Sequence, residues 1–144
     1  MDNKAAKPNE YPWLIPSLTV TDVKASQDFY TDAFGFSKGE VFDDESGVAV
    51  FGEMLYKNQR IIMLVKENGF GCNVPTPAHS NSDPATSLYV YCDDVDDFYE
   101  QAKKAKANIV NEPEDMFWGD RIVAIKDPDG HCWSFATRIS NFEF

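Results

Sequence analysis

The sequence predicts an α+β fold made of two tandem βαβββ modules. The first observation is a repeat, since IPSLTVTDV at residues 15–23 and SLYVYCDDV at residues 87–95 share an apolar pattern and an aspartate before the last valine. The second is that a Phe-Tyr pair follows each copy, as Phe29-Tyr30 and Phe98-Tyr99. Because a strand pattern leads into a helix pattern twice, we interpret the chain as a duplicated module of roughly 55 residues.

The first module, residues 12–66, begins with a β-rich run from Trp13 to Thr21. Alternation along this strand places Leu18 and Val20 on one face, and Ser17 on the other together with Ile15 and Thr19. Asp22 is then the predicted N-cap of a helix that buries a stripe of aromatic residues. Gly35 is its predicted C-cap, since glycine adopts the left-handed conformation without steric cost.

Two apolar runs complete the first module, Gly47 to Tyr56 and Arg60 to Val65. Lys57-Asn58-Gln59 lies between them, which predicts a hairpin. The module therefore reads as a strand, a helix and two or three further strands. Residues 67–85 follow, with glycine, proline, serine and asparagine and no apolar period, so we predict a long loop or linker between the modules of a single domain.

The second module, residues 86–141, repeats the order. Ser87 to Cys92 is a strand, Asp94 an N-cap, and the helix after it carries apolar residues at positions i, i+3, i+4 and i+7. Asn108 to Glu114 leads into a hairpin that turns at Asp127-Pro128-Asp129-Gly130, where proline and glycine favour a tight turn. Lys106 occupies the position of Gly35 in the first copy, and a non-glycine there costs roughly 1 kcal/mol in the left-handed conformation.

Composition limits the classes of function. The chain has 144 residues and a formal net charge of -11, with no basic stripe, which disfavours nucleic acid and anionic membranes as partners. No signal peptide or membrane-spanning run is visible. Cys72, Cys92 and Cys132 are odd in number and lack metal-site spacing, so we expect reduced thiols in a cytoplasmic protein.

The combination of these modules with FWGDR at residues 117–121 and IKDPDGHCWSF at residues 125–135 resembles the glyoxalase/bleomycin-resistance/extradiol-dioxygenase superfamily, also called vicinal oxygen chelate proteins. The resemblance covers residues 13–138. It implies that the strands of both modules curl into an open mixed sheet around a cavity, with the helices on the outer face, and that the protein forms a homodimer. Fold alone does not imply a reaction.

Metal-dependent members of this superfamily take His, Gln or Glu ligands from four strand positions that face the cavity. Carried over by register, these positions hold Ile15, Met63, Ser87 and Ser134. None of these side chains is a ligand of the expected kind for a divalent metal. We therefore expect no metal or other cofactor and no catalytic residues, and we interpret His79 and His131 as surface or structural residues.

What remains is a predicted cavity that binds a hydrophobic or aromatic small molecule by stacking and a few hydrogen bonds, as in the bleomycin-resistance branch. The predicted lining consists of aromatic rings, hydroxyl groups and one thioether: Trp118, Phe117, Tyr89, Tyr91, Ser17, Met63, Ser87 and Ser134. Trp133 shares the register of Phe135 and is expected in the core. Asp120 and Arg121 are expected to form an ion pair at the edge of the pocket.

Two alternatives stay open from the sequence. One is a divergent glyoxalase-like lyase or dioxygenase whose metal is held at displaced positions, with Glu53 or Asp120 as ligands. The other is a non-catalytic module in which Phe117 and Trp118 fill a dimer interface, where aromatic residues are also enriched.

Overall fold

The computed structural model of the chain describes residues 4–69 and 74–141. Within them the elements alternate as two βαβββ modules with a short helix between. The strands and helices are β1 (Ser17–Val20), α1 (Val23–Phe34), β2 (Ser37–Asp43), β3 (Ala49–Tyr56), β4 (Gln59–Lys66), α2 (Pro77–Ser80), β5 (Ser87–Tyr91), α3 (Val95–Lys104), β6 (Asn108–Asp115), β7 (Asp120–Lys126) and β8 (Cys132–Arg138).

The described residues divide into two compact units. The first contains residues 4–31, 35–69 and 74, and the second contains residues 32–34 and 75–141. Each unit has one four-stranded mixed sheet, and neither sheet closes on itself.

In the first unit the strand order is β1-β4-β3-β2, and β1 runs parallel to β4 with Ser17 opposite Met63. Asp22 caps α1 by accepting a hydrogen bond from the backbone N–H of Ala25 at 2.9 Å. Gly35 ends the helix with φ of 75°. Both predicted caps of the first helix are therefore confirmed.

The predicted hairpin between β3 and β4 is also confirmed. Its two turn residues, Lys57 and Asn58, have φ of 50° and 64°. Two successive residues with positive φ match the twist of an antiparallel pair, and asparagine adopts this conformation more readily than most residues.

In the second unit the order is β5-β8-β7-β6, with β5 parallel to β8 and Tyr89 opposite Ser134. Its core is aromatic. The ring of Phe98 from α3 stacks on Phe135 with centroids 3.9 Å apart, and Phe34 meets Phe135 edge-on at 4.7 Å. Trp133 is fully buried beside them, as predicted.

The turn at residues 127–130 is organised by the carboxylate of Asp127. Its Oδ1 accepts hydrogen bonds from the backbone N–H groups of Asp129 and His131, and its Oδ2 accepts one from Nε1 of Trp133 at 3.0 Å. Gly130 has φ of 91°, the conformation for which glycine was expected. One aspartate therefore fixes both the turn and the core tryptophan.

The α+β class and the order of elements are confirmed, with local corrections. The first strand begins at Ser17, not at Trp13, so Ile15 lies outside it. The predicted linker contains α2, capped by the hydroxyl of Thr76. Lys106 has φ of 61°, as expected. Cys72 lies outside the described residues. No described helix is long and apolar enough to span a membrane.

Candidate functional site

Two tyrosines stand on the face of the second sheet that does not pack on α3. Val90 between them is buried beside Phe135, its partner on β8, whereas Tyr89 and Tyr91 expose 43% and 57% of their surface. Their rings meet edge-on with centroids 5.6 Å apart. Alternation along β5 thus presents two adjacent aromatic rings on one face, in the register that the sequence predicts.

Asp120, the first residue of β7, joins these rings to a third. Its side chain is only 4% exposed. The hydroxyls of Tyr89 and Tyr91 donate hydrogen bonds to Oδ2 of Asp120 at 2.6 and 2.7 Å. Nε1 of Trp118 lies 3.2 Å from the same oxygen and 3.2 Å from the Tyr89 hydroxyl. We call Tyr89, Tyr91, Trp118 and Asp120 the ring cluster.

Trp118 reaches Asp120 because the chain turns sharply between β6 and β7. Gly119 has φ of 92°, and its N–H donates to the carbonyl of Met116 at 3.1 Å. Phe117 lies at the outside of this turn, is 84% exposed, and touches Trp118 edge-on with centroids 5.0 Å apart. Phe117 is therefore an exposed neighbour of the ring cluster.

Burial and hydrogen bonding fix the protonation states in the cluster. Burial by itself would raise the pKa of Asp120, but the hydrogen bonds from Tyr89, Tyr91 and Trp118 outweigh it and leave the pKa below the ordinary 3.8. Burial, and then the hydrogen bond to Asp120, raise the pKa of Tyr89 to about 12. The hydrogen bond to Asp120 is the main reason that the pKa of Tyr91 is raised. At neutral pH the cluster is one carboxylate and two neutral phenols.

The predicted ion pair between Asp120 and Arg121 is wrong. Arg121 points to the other side of β7, where its Nε lies 3.1 Å from Oδ1 of Asp96 and its Nη1 lies 2.8 Å from Oδ1 of Asp115. Successive side chains of a strand point to opposite faces, so the side chains of these two adjacent residues of β7 point away from each other. Asp120 serves instead as the acceptor for the three rings.

The remaining predicted residues fall in both units. In the second unit, Ser134 lies opposite Tyr89, and Ser87 opposite Cys132. In the first unit, Ser17 and Met63 lie opposite each other on β1 and β4. The structure thus brings Tyr89, Tyr91 and Trp118 into hydrogen-bonded contact through Asp120, and it pairs the other residues by strand register.

The residues at the predicted metal positions do not fit a divalent metal. Met63 offers a thioether, Ser134 and Ser87 offer hydroxyls, and Ile15 offers no donor at all. Over residues 4–69 and 74–141, no three of His, Cys, Asp and Glu come together in a way that could hold a metal ion. The displaced candidates have other partners, because Asp120 accepts from three rings and Glu53 faces Arg60.

Glu53 is the residue that sequence reasoning missed as a buried group, since an acidic residue was expected to be solvated there. It lies on β3 opposite Met63 and is 1% exposed. Its position could have been signalled by the apolar run AVFGEMLY, in which a single charged residue stands within a strand buried on both faces.

Two surface grooves lie elsewhere on the described chain. One in the first unit, of about 810 Å³, is lined mainly by Phe42, Val50 and Phe51 with acidic residues at its edge. One in the second unit, of about 420 Å³, lies between α2 and the turn at residues 127–130. Neither groove contains a predicted site residue.

Comparison with known proteins gives a match to one family. The model described as Glyoxalase/Bleomycin resistance protein/Dioxygenase superfamily matches residues 14–135. A bleomycin resistance protein of Staphylococcus aureus is 30% identical over 135 residues, which cover 88% of this chain and 97% of that protein. An uncharacterised protein of Mycobacterium bovis is 32% identical over 138 residues, which cover 91% of this chain and 86% of the relative.

Solved structures share the fold. TioX from Micromonospora sp. ML1 aligns with a TM-score of 0.68 at 23% identity, over 88% of this chain and 98% of that one. The fosfomycin resistance protein FosX from Listeria monocytogenes aligns with a TM-score of 0.64 at 12% identity, over 88% and 92%. At these identities the structural likeness shows the fold alone.

Proposed function

Because the chain belongs to the glyoxalase/bleomycin resistance protein/dioxygenase superfamily, we propose that it binds a hydrophobic or aromatic small molecule without a metal and sequesters it without changing it. The similarity to a bleomycin resistance protein at 30% identity supports this role. The ligand class follows from the ring cluster.

The observation that carries the proposal is the hydrogen bonding of the three rings to Asp120. Each ring directs its polar group at one buried carboxylate, so its polar edge is already satisfied within the protein. The ring faces remain for a ligand, and their orientation is fixed before it arrives. Aromatic rings attract planar aromatic partners by stacking and edge-to-face contact, and a preorganised surface loses less conformational entropy on binding.

The chemistry of the donor groups supports binding without a metal. A divalent cation needs several nitrogen or carboxylate donors that converge, and the four family positions in this chain offer none. The competing hypothesis is a lyase or dioxygenase with a displaced metal. Its best carboxylate candidates, Asp120 and Glu53, already face hydrogen-bond donors or a cation.

Fluorescence quenching with planar probes tests the proposal directly. The probes are 2-naphthol, 2-methoxynaphthalene and acridine, added to protein treated with EDTA. Quenching should be lost in Trp118→Phe, which keeps a ring but removes the indole, and should persist in Trp13→Phe, since Trp13 is exposed and outside the cluster. Trp118→Ala should weaken binding by about threefold to tenfold. If no probe quenches Trp118, the proposal fails.

Metal dependence is tested separately by thermal shift. Protein treated with EDTA should melt at the same temperature with Mn, Fe, Ni, Zn or buffer alone, because tight binding to the native state would raise the melting temperature. A clear rise with one metal would favour the competing enzyme hypothesis. The homodimer and the cytoplasmic location stay predictions from the sequence.

A further inference from the structure

The ring cluster holds a negative charge that has no cationic partner in the second unit. Asp120 is only 4% exposed, and its Oδ2 accepts from two neutral hydroxyls and one neutral indole, those of Tyr89, Tyr91 and Trp118. Within residues 4–69 and 74–141, Asp120 forms no ion pair. Because little water screens a buried charge, its field reaches the surface of the cluster.

The cation opposite Asp120 in the sheet is Arg138 of β8. It is exposed, and its guanidinium donates to the carbonyl of Ser140 from Nε at 3.2 Å and to Oδ1 of Asn141 from Nη2 at 3.0 Å. Its charge lowers the pKa of Asp120, but by less than each of the three hydrogen bonds from the rings. Arg138 therefore offsets only a small part of the charge of Asp120.

The other cations of β7 are paired elsewhere. Lys126, at the far end of the strand, pairs with Asp83. Arg121 points to the opposite face of the sheet and pairs with Asp96 and Asp115. Strand β5, which carries both tyrosines, has no basic residue. The face that carries the ring cluster is therefore negative around the three rings.

A ligand meets this charge through the rings, since the carboxylate beneath them is almost fully covered. The face of an aromatic ring is negative and attracts a cation that lies within about 6 Å of its centroid. A hydroxyl or indole N–H that donates to a carboxylate shifts electron density into its ring, which strengthens this attraction. Three rings that share one acceptor therefore act together on a cation.

The angles between the rings suit a rounded group. Tyr89 and Tyr91 meet at an interplanar angle of 68°, and Phe117 and Trp118 meet at 89°. Faces at steep angles can contact a rounded cation from two sides, while a flat part of the same molecule stacks on an exposed face. Such a corner of rings is the arrangement by which proteins recognise quaternary ammonium groups.

The hydrogen bonds of the cluster decide between kinds of cation. A primary ammonium or a guanidinium must replace the hydrogen bonds that its N–H groups make to water. Oδ2 of Asp120 already accepts from three donors, and the hydroxyl of Tyr89 also accepts from Nε1 of Trp118. A quaternary ammonium has no N–H group, so it contacts the ring faces without leaving a donor unpaired.

We propose that the ring cluster selects aromatic molecules that carry a quaternary ammonium group, which lies against the faces of Tyr89, Tyr91 and Trp118. The inference rests on the proposed function and narrows its ligand class. Asp120 supplies the negative charge and holds the rings, and it does not touch the ligand.

The test compares two probes of the same shape that differ in charge, (4-hydroxyphenyl)trimethylammonium and 4-tert-butylphenol. Binding is measured by calorimetry on the full chain treated with EDTA, at about pH 6.5 and in salt of about 0.15 M, which screens remote charges. A plain apolar surface prefers the neutral probe because it is less hydrated. Wild-type protein should instead bind the cation about threefold or more tightly.

Asp120→Asn removes the charge with little change of shape. The variant should lose the preference, so that 4-tert-butylphenol binds as tightly as the cation or more tightly. Asp97→Asn removes the same charge from an exposed position on α3 and should keep the wild-type preference.

Tyr91→Leu removes one ring and keeps an apolar side chain. It should weaken binding of the cation by about threefold and change that of 4-tert-butylphenol by less than about twofold. This variant also serves if circular dichroism shows that Asp120→Asn is unfolded.

Three results overturn the inference. Wild-type protein that binds the neutral probe as tightly as the cation contradicts it. So does a preference that survives in Asp120→Asn and Tyr91→Leu, or one that Asp97→Asn loses equally. In each case, binding of neutral aromatic probes that still depends on Trp118 leaves the proposed function standing. If neither these probes nor the naphthalene probes bind wild type, the proposed function fails and takes this inference with it.

Discussion

The two units each bury one carboxylate in a strand, and they treat it differently. In the second unit, Asp120 receives three hydrogen bonds on a single oxygen. In the first unit, Glu53 has one long contact to Arg60 and interacts with the hydroxyl of Tyr11, and its Oε2 has no hydrogen-bond partner within residues 4–69 and 74–141. A duplicated module has thus come to hold one carboxylate that is satisfied by the protein and one that is not.

The difference separates a carboxylate that positions its neighbours from one that is poorly paired. A buried carboxylate that collects neutral donors positions those donors, as Asp120 positions the rings. A buried carboxylate oxygen that accepts no hydrogen bond lowers the stability of the folded protein unless a ligand or water donates one. Substitution of Asp120 should therefore cost more stability than substitution of Glu53.

The largest effect is expected for Asp120→Ala. The variant leaves the polar groups of Tyr89, Tyr91 and Trp118 without their common acceptor, and partial exposure lets water replace some of those bonds. We expect the free energy of unfolding in urea to fall by about 2 kcal/mol. Asp97→Ala, an exposed residue of α3, should cost less than about 1 kcal/mol. Equal losses in the two variants would show that Asp120 does not anchor the rings.

A smaller loss is expected for Tyr89→Phe. This change removes one donor to Asp120 and the acceptor that Nε1 of Trp118 shares, while it keeps the ring. Because Tyr89 is partly exposed, the loss should be about 1 kcal/mol in urea denaturation. Tyr99→Phe on α3 is the matched control and should leave the stability unchanged. If Tyr89→Phe leaves the free energy of unfolding unchanged, the hydroxyl is not needed to hold the cluster.

Glu53→Met should cost less still, below about 1 kcal/mol, although Glu53 is more buried than Asp120. The substitution removes a poorly paired charge and fills the space with an apolar side chain, and Arg60 has enough access to solvent to be hydrated. Urea denaturation of Glu53→Met and Asp120→Ala, measured in parallel, compares the two losses in the free energy of unfolding. A loss as large as that of Asp120→Ala would show that Glu53 is chiefly structural.

The pH dependence should follow the ring cluster. The folded-state pKa of Asp120 lies below 3.8, so its contribution is present above that value and is lost as the pH falls below it. The pKa of Tyr89 is raised to about 12, so its contribution is complete below about pH 10 and is lost as the pH rises towards 12. Melting temperatures measured across the pH range follow both limits, and the 295 nm absorbance of phenolate follows the deprotonation of Tyr89. Asp120→Asn should move the absorbance transition of Tyr89 to lower pH, and an unchanged transition would contradict the assigned hydrogen bond.

Most of the fold could be predicted because its signals are local. Asp22, Gly35 and Asp94 are caps whose partners lie within five residues, and the turn at residues 127–130 has a composition that few other structures tolerate. The alternation along β5 was sufficient to place Tyr89 and Tyr91 on one face. These features need no knowledge of distant contacts.

The polar contacts of the site could not be predicted for the opposite reason. Asp120 and Tyr89 are 31 residues apart, and Gln27 and Glu53 are 26 apart, so only the folded sheets bring them together. Asp120 and Arg121 are adjacent in sequence, which suggested an ion pair, but strand geometry turns their side chains to opposite faces. Burial of Glu53 likewise depends on neighbours that the sequence does not identify.

The most direct test of the central claim is calorimetry of 2-naphthol binding to protein treated with EDTA, repeated after addition of Mn, Fe, Ni or Zn. We expect the same dissociation constant within about twofold with and without metal, and weaker binding by about threefold to tenfold in Trp118→Ala. Binding that requires one of the metals, or that is unchanged in Trp118→Ala, would contradict a metal-free aromatic site at the ring cluster.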